Sequence, residues 1–164
     1  MDERFIEMAM AEYGDTVLRV AASVTGNKAD AEDVFSDVFF ALYRQKYLVG
    51  THDYLKAWLI RVTVNTAKNV RKSAWSKRRA ALTESLADPE PNGSNDTLAA
   101  LQQLKPRERA VIYLHYYEGY LFSEIARILN LREGAVRSAA ARARTALKEL
   151  LEEEKEEFKF YVQI

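Results

Sequence analysis

Residues 106–151 constrain the fold most, because PRERAVIYLHYYEGYLFSEIARILNLREGAVRSAAARARTALKELL is helix-forming throughout yet interrupted twice. The pattern breaks at Gly119, restarts at Ser123, breaks at Asn130 and restarts near Arg132, so three helices joined by tight turns are expected. Ser123 is expected to cap the middle helix through its hydroxyl. Asn130, tolerant of left-handed backbone, is expected to end it. Ile125, Ile128 and Leu129 give that helix an apolar face, and Ala126 permits a close crossing.

At about 100° per residue the last helix divides cleanly. Val136, Ala139, Ala140, Ala143, Leu147 and Leu150 lie on one side, and Arg137, Ser138, Ala141, Arg142, Arg144 and Lys148 on the other. A helix that packs on its neighbours through one half and enters a DNA major groove with the other needs this division. Arginine matches guanine edges bidentately, while lysine and serine hold phosphates. An ordinary surface helix with solvated cations has the same spacing. The alanines among the cations favour close approach to a groove.

The chain of 164 residues has no net charge, with 24 basic and 24 acidic groups, but the signs are segregated. Residues 53–81 carry 8 basic groups and 1 acid, and residues 105–148 carry 9 and 4, whereas residues 82–104 hold 4 acids and no base. Two basic blocks around an acidic linker suggest two contacts with a polyanion. The stretch ESLADPEPNGSNDT has no helical period and collects turn formers, as a flexible linker does. The expected fold is therefore all-α, with two small helical domains at 1–82 and 99–164 joined by a flexible acidic linker at 83–98.

The chain has no cysteine, which excludes disulfides, thiolate metal sites and cysteine nucleophiles. His52 and His115 belong to no metal-spaced cluster and read as structural or surface residues. Asp30, Glu32, Asp33 and Asp37 fit capping and a solvated face rather than an inward metal cluster, so neither catalytic nor metal-binding residues are assigned, and no cofactor or small-molecule substrate. The first residues are acidic and no long apolar run is present, which supports neither a signal peptide nor a membrane insertion and makes a cytoplasmic location the expectation.

The first half reads as helices near 2–25, 30–46 and 53–80. Gly26 and Asn27 close the first, and Asp30 and Asp53 are expected to cap the second and third. In the second, Val34, Phe35, Val38, Phe39 and Leu42 form the buried face, opposite Asp33, Asp37, Phe40 and Arg44. An aromatic among charges suits a protein-docking anchor, or a side chain covering the first helix or a loop. In the third, Leu55, Leu59, Val62 and Thr66 are expected to point inward. Trp58, Arg61, Asn65, Lys68 and Lys72 recur on another face, where an aromatic, an amide and cations together suit capture of an unpaired strand. Trp58 is equally explained as core. Arg71, Lys72, Lys77, Arg78 and Arg79 extend the phosphate track.

AEDVFSDVFFALYR, YLKAWLIRVTVNTAKNVRK and LKPRERAVIYLHYYEGYLFSEIARILNLREGAVRSAAARAR together resemble, in their order and spacing, the extracytoplasmic-function group of bacterial RNA polymerase sigma factors. The resemblance covers nearly the whole chain. It implies a non-enzymatic protein that binds core RNA polymerase and directs it to promoter DNA. The polymerase clamp would be gripped through Asp33, Asp37, Phe40 and Arg44. The minus-ten element would be read by base extrusion, with Asn65 and residues 48–54 in the matching positions and Trp58, Arg61, Lys68 and Lys72 beside them. The minus-thirty-five element would be read by Arg137, Ser138, Ala141, Arg142, Arg144 and Lys148. An anti-sigma factor is implied as a further partner. The alternative is a stand-alone helix-turn-helix regulator that never joins polymerase. The acidic end, KELLEEEKEEFKFYVQI, reads as a solvated helix end, or as aromatics (Phe158, Phe160, Tyr161) that pack back on a domain or engage an anti-sigma partner.

Overall fold

A computed structural model describes residues 2–47, 50–81, 101 and 103–162. The linker expected at 83–98 lies outside the described residues, as do Leu48 and Val49 of the stretch 48–54 expected to read the minus-ten element. The side chains of Lys77, Arg78, Arg79, Leu150, Phe158, Phe160 and Tyr161 also lie outside them. The described elements are helices: α1 (Glu3–Thr25), α2 (Lys28–Arg44), α3 (His52–Ala81), α4 (Pro106–Tyr116), α5 (Phe122–Leu129) and α6 (Glu133–Val162).

Local chemistry explains most of the boundaries. Asp2 accepts the Arg4 N–H at the start of α1, and Gly26, at φ 82°, closes it by donating to the Ala22 carbonyl. The second helix is capped differently from the expectation. Asn27, not Asp30, is its cap and accepts the Asp30 N–H at 2.8 Å, while Asp30 sits inside the first turn and accepts from the Asn27 amide at 2.7 Å. The first turn of α3 is entered at His52, so Asp53 lies within it, favourably placed against the helix dipole rather than capping it.

Ser123 is likewise inside its helix. The cap position of α5 is Leu121, whose N–H is accepted by Glu124 at 2.8 Å, so a carboxylate reaching back replaces the expected hydroxyl. Glu108 does the same for Lys105 at the start of α4. Asn130 ends α5 in the left-handed region, at φ 54° and ψ 49°, as its residue type led one to expect. The Leu131 N–H then closes on the Ala126 carbonyl at 2.8 Å, which fixes the tight turn into α6.

In the first half α1, α2 and α3 pack as a bundle around Tyr13, Val17, Val20, Val24, Val34, Val38, Phe39, Leu42, Leu55 and Leu59. On α3 the buried stripe is Leu55, Leu59, Ile60, Thr63, Val64 and Ala67. Val62 and Thr66, expected inward, are only half-buried because the stripe runs one residue further round the helix. In the second half α4, α5 and α6 pack around Val111, Leu114, Ile125, Ile128, Val136, Ala139 and Ala140. These two sets merge into one continuous cluster, with α1 against α4 and α3 against α4 and α5. The two helical domains are therefore packed face to face.

Candidate nucleic-acid interface

The outer face of α6 is the more regular of the two basic surfaces. Val136, Ala139, Ala140 and Ala143 are fully buried, and Arg137, Ser138, Ala141, Arg142, Arg144 and Lys148 are all exposed. Two of the arginines are held by carboxylates. Glu133 accepts from both Nε and Nη2 of Arg137, at 3.2 and 2.7 Å, and the Arg137 guanidinium lies 5.5 Å from the Phe122 ring centre. Arg142 donates from Nε to Glu108 Oε1 at 3.2 Å. Lys148 lies 3.9 Å from Glu152. A guanidinium steadied by a carboxylate keeps its remaining N–H groups in a fixed fork, the geometry that bidentate base contact needs.

The five residues grouped on α3 do not form one open surface. Asn65 and Lys72 are exposed and Lys68 is half-buried, but Trp58 packs against the shared core. Arg61 turns toward the other domain. Its Nε donates to the Ile128 carbonyl at 2.6 Å and its Nη2 to the Arg127 carbonyl at 3.2 Å, so it caps the C-terminal end of α5. Lys56, one turn earlier, lies 5.7 Å from the Tyr120 ring centre.

A second arginine crosses the seam in the opposite sense. Arg109 of α4 is buried and donates to the Val24 carbonyl at the end of α1 at 3.0 Å, where Arg71 of α3 also donates at 3.3 Å. Burial first, and then the like charge of Arg71, lower the Arg109 pKa to about 10, so it stays cationic at neutral pH. The Tyr113 hydroxyl is pushed up, mainly by burial and then by Glu118, to which it donates at 3.3 Å.

On α2, Asp33, Asp37, Phe40 and Arg44 are exposed together. Phe40 is 59% exposed, and the Arg44 guanidinium lies 5.8 Å from its ring centre. Phe40 thus stands outside the buried core of the described residues. Tyr43 and Tyr47 are exposed nearby in sequence, a pair that periodicity did not single out. Among the described residues no group of three or more His, Asp or Glu side chains is placed to hold a metal ion, and no helix is long and apolar enough to cross a membrane.

Sequence reasoning missed Glu108 and Arg109 as tethers. Glu133 was within its reach, because it stands four residues before Arg137 on the same helix.

This is a helical protein built from a three-helix bundle and a helix-turn-helix domain. Residues 9–77 match the model for sigma-70 region 2, and residues 94–147 the model for sigma-70 region 4. The chain is 31% identical over 152 residues to the extracytoplasmic-function sigma factor SigL of Mycobacterium tuberculosis, covering 87% of this chain and 86% of SigL. It is 32% identical over 168 residues to the sigma factor CarQ of Myxococcus xanthus, covering 92% and 95%. With SigE of Mycolicibacterium smegmatis it shares 32% identity over 154 residues, 85% of this chain but only 59% of SigE. Its fold is similar to that of the sigma factor RpoE of Bartonella quintana, solved in complex with the anti-sigma factor NepR, with a TM-score of 0.65 at 24% identity over 89% of this chain and 96% of that one. It is also similar to CnrH, solved with the cytosolic domain of CnrY, with a TM-score of 0.64 at 23% identity over 92% and 90%. The chain belongs to the extracytoplasmic-function sigma factors of RNA polymerase. A stand-alone regulator is not favoured, because region 2 is present as well as the helix-turn-helix.

Proposed function

We propose that this sigma factor binds core RNA polymerase through Asp33, Asp37, Phe40 and Arg44 and carries it to promoters that two domains read, residues 1–82 and 99–164 across a linker at 83–98. Asn65, Lys68 and Lys72, with Trp58 and Arg61, engage the minus-ten strand. Arg137, Ser138, Ala141, Arg142, Arg144 and Lys148 engage the minus-thirty-five element. The chain acts in the cytoplasm and performs no chemistry of its own, since bond formation belongs to the polymerase. An anti-sigma factor, the kind of partner found with RpoE of Bartonella quintana, is proposed for this chain too.

The observation that carries this reading is the exposed Phe40, with the Arg44 guanidinium near its ring and Asp33 and Asp37 exposed on the same helix, in the same chain as the exposed basic face of α6. A DNA-binding face alone suits any regulator. An apolar anchor with a polar rim on a separate helix supplies the protein contact a sigma factor needs. Run-off transcription with cognate core polymerase on pooled genomic promoter fragments tests it. New start sites that require the protein are expected. DNA binding with no polymerase association and no new starts would overturn it.

A further inference from the structure

We propose that Tyr13 of α1 is a positioning residue for promoter reading: its hydroxyl fastens His52, where the chain enters α3, and so sets the pose of residues 50–54 toward the minus-ten strand. The inference rests on the minus-ten role expected of that stretch and proposed for α3. The contact itself rests on geometry alone.

Tyr13 is suited to hold a turn because packing holds Tyr13. Its ring is 6% exposed and belongs to the core shared by α1, α2 and α3, so the hydroxyl stands at a fixed point. It lies 3.1 Å from Nδ1 of His52 and 3.5 Å from the carbonyl oxygen of the same residue. One rigid group thus meets both the side chain and the main chain of the first residue of α3. The phenol donates to a bare Nδ1 and accepts from a protonated one, so the ring contact survives either tautomer. Glu12 adds a carboxylate oxygen 3.5 Å from the same nitrogen. Burial first, and then Glu12 and Asp53, push the Tyr13 hydroxyl above its usual value of 10.0, so it keeps its proton at neutral pH. The His52 side chain is 72% exposed, so core burial does not hold it in place, and the two partners on α1 do.

The chain entering α3 is constrained a second time. A Cβ on Gly50 would stand 2.6, 2.7 and 2.8 Å from Cδ1, Cγ and Cβ of Tyr54, so the main chain runs against the root of that side chain, a path that needs glycine. The Leu55 N–H donates to the Thr51 carbonyl at 3.1 Å, and Leu55 is buried. Residues 50–55 therefore form a tied turn, and Tyr13 ties it to a helix 39 residues away in sequence. Tyr54, 49% exposed, leaves this turn with an open ring of the kind on which an unpaired base stacks. Groups that read bases discriminate best when they are held in one pose before the strand arrives.

The test starts from a promoter at which the full chain initiates with cognate core polymerase, rebuilt with a randomised minus-ten element, and ranks the variants by sequencing the transcripts. Tyr13→Phe removes the hydroxyl and keeps the ring in the core. His52→Leu removes the other partner at an exposed position, and His52→Asn retains a polar atom near the place of Nδ1. Tyr13→Phe and His52→Leu should each cut discrimination between preferred and rejected elements about fivefold. The double variant should fall no further than either alone, because one contact is lost in all three, and His52→Asn should stay near the parent.

A merely structural hydroxyl would lower transcription from every element alike and leave their ranking unchanged, and that result overturns the inference. Full discrimination in either single variant overturns it too. Should Tyr13→Phe fail to fold by circular dichroism, His52→Leu against His52→Asn decides, with loss in the first alone supporting the contact and equal behaviour of the two overturning it. Absence of any start site that requires the parent overturns the proposed function instead. A parent that initiates but is indifferent to the minus-ten sequence overturns the minus-ten role, and the inference with it.

Discussion

Arg142, on the exposed face of α6, donates from Nε to Glu108 Oε1 on α4 at 3.2 Å, and the other oxygen of that carboxylate accepts the Lys105 N–H at the start of α4. One nearly buried glutamate therefore caps the first helix of the DNA-binding domain and steadies an arginine on the last.

Loss of that carboxylate should have two consequences. Glu108→Ala removes the cap and the tether together and is expected to destabilise the folded chain by about 1–2 kcal/mol. Thermal unfolding of the variant beside the parent checks the value, and an unchanged midpoint would refute the dual role.

Arg142→Ala should leave the fold in place, because the side chain is 58% exposed. If Arg142 contacts a base or a phosphate, binding to the minus-thirty-five element weakens by about 1–3 kcal/mol. Titration of a promoter duplex by the sigma factor with core polymerase measures this, and unchanged affinity would remove Arg142 from the reading face.

Asn65 is exposed on α3 and beyond the domain seam. Asn65→Ala is expected to change stability by no more than about 0.5 kcal/mol and to leave polymerase binding intact, while permanganate footprinting shows less open promoter. Loss of folding would mark Asn65 as structural instead.

Phe40→Ala should weaken association with core polymerase by about 2 kcal/mol, the effect of truncating an anchor side chain. An exposed ring contributes little to the isolated chain, so the melting temperature should hardly move. A pull-down of core polymerase at graded concentrations separates the two effects.

The lowered pKa of Arg109 has a sign that can be tested. Below about 10 the group is protonated in both the folded and the unfolded chain, so it makes stability neither rise nor fall between pH 7 and pH 9. Above about 10, and until the unfolded chain's own arginine deprotonates, the unfolded chain binds the proton more tightly, and the group's contribution rises with pH. The difference in unfolding free energy between the parent and Arg109→Met should be constant across pH 7–9 by denaturant titration. A slope there would mean that the pKa lies lower still.

Helix α6 shows how far periodicity reaches. The alternation of alanines with arginines named both its buried and its exposed side, because a single helix repeats its faces every few residues and the apolar side must be covered. Asn130 was legible for a similar reason, since few residue types accept left-handed backbone. The caps of α2 and α5 were misassigned because several polar side chains near each start could serve, and only the chain path selects Asn27 and Glu124.

The sequence by itself determined the helices, their breaks, the two basic blocks and the family, all of which depend on residue types at short spacing. Tertiary structure alone decided that Arg61 caps α5, that Arg109 caps α1 and that Glu108 holds Arg142. The acceptors for the first two are backbone carbonyls, which every residue carries, so no side-chain pattern marks them. Glu108 and Arg142 stand 34 residues apart, and only the packing of α4 on α6 brings them within hydrogen-bond distance.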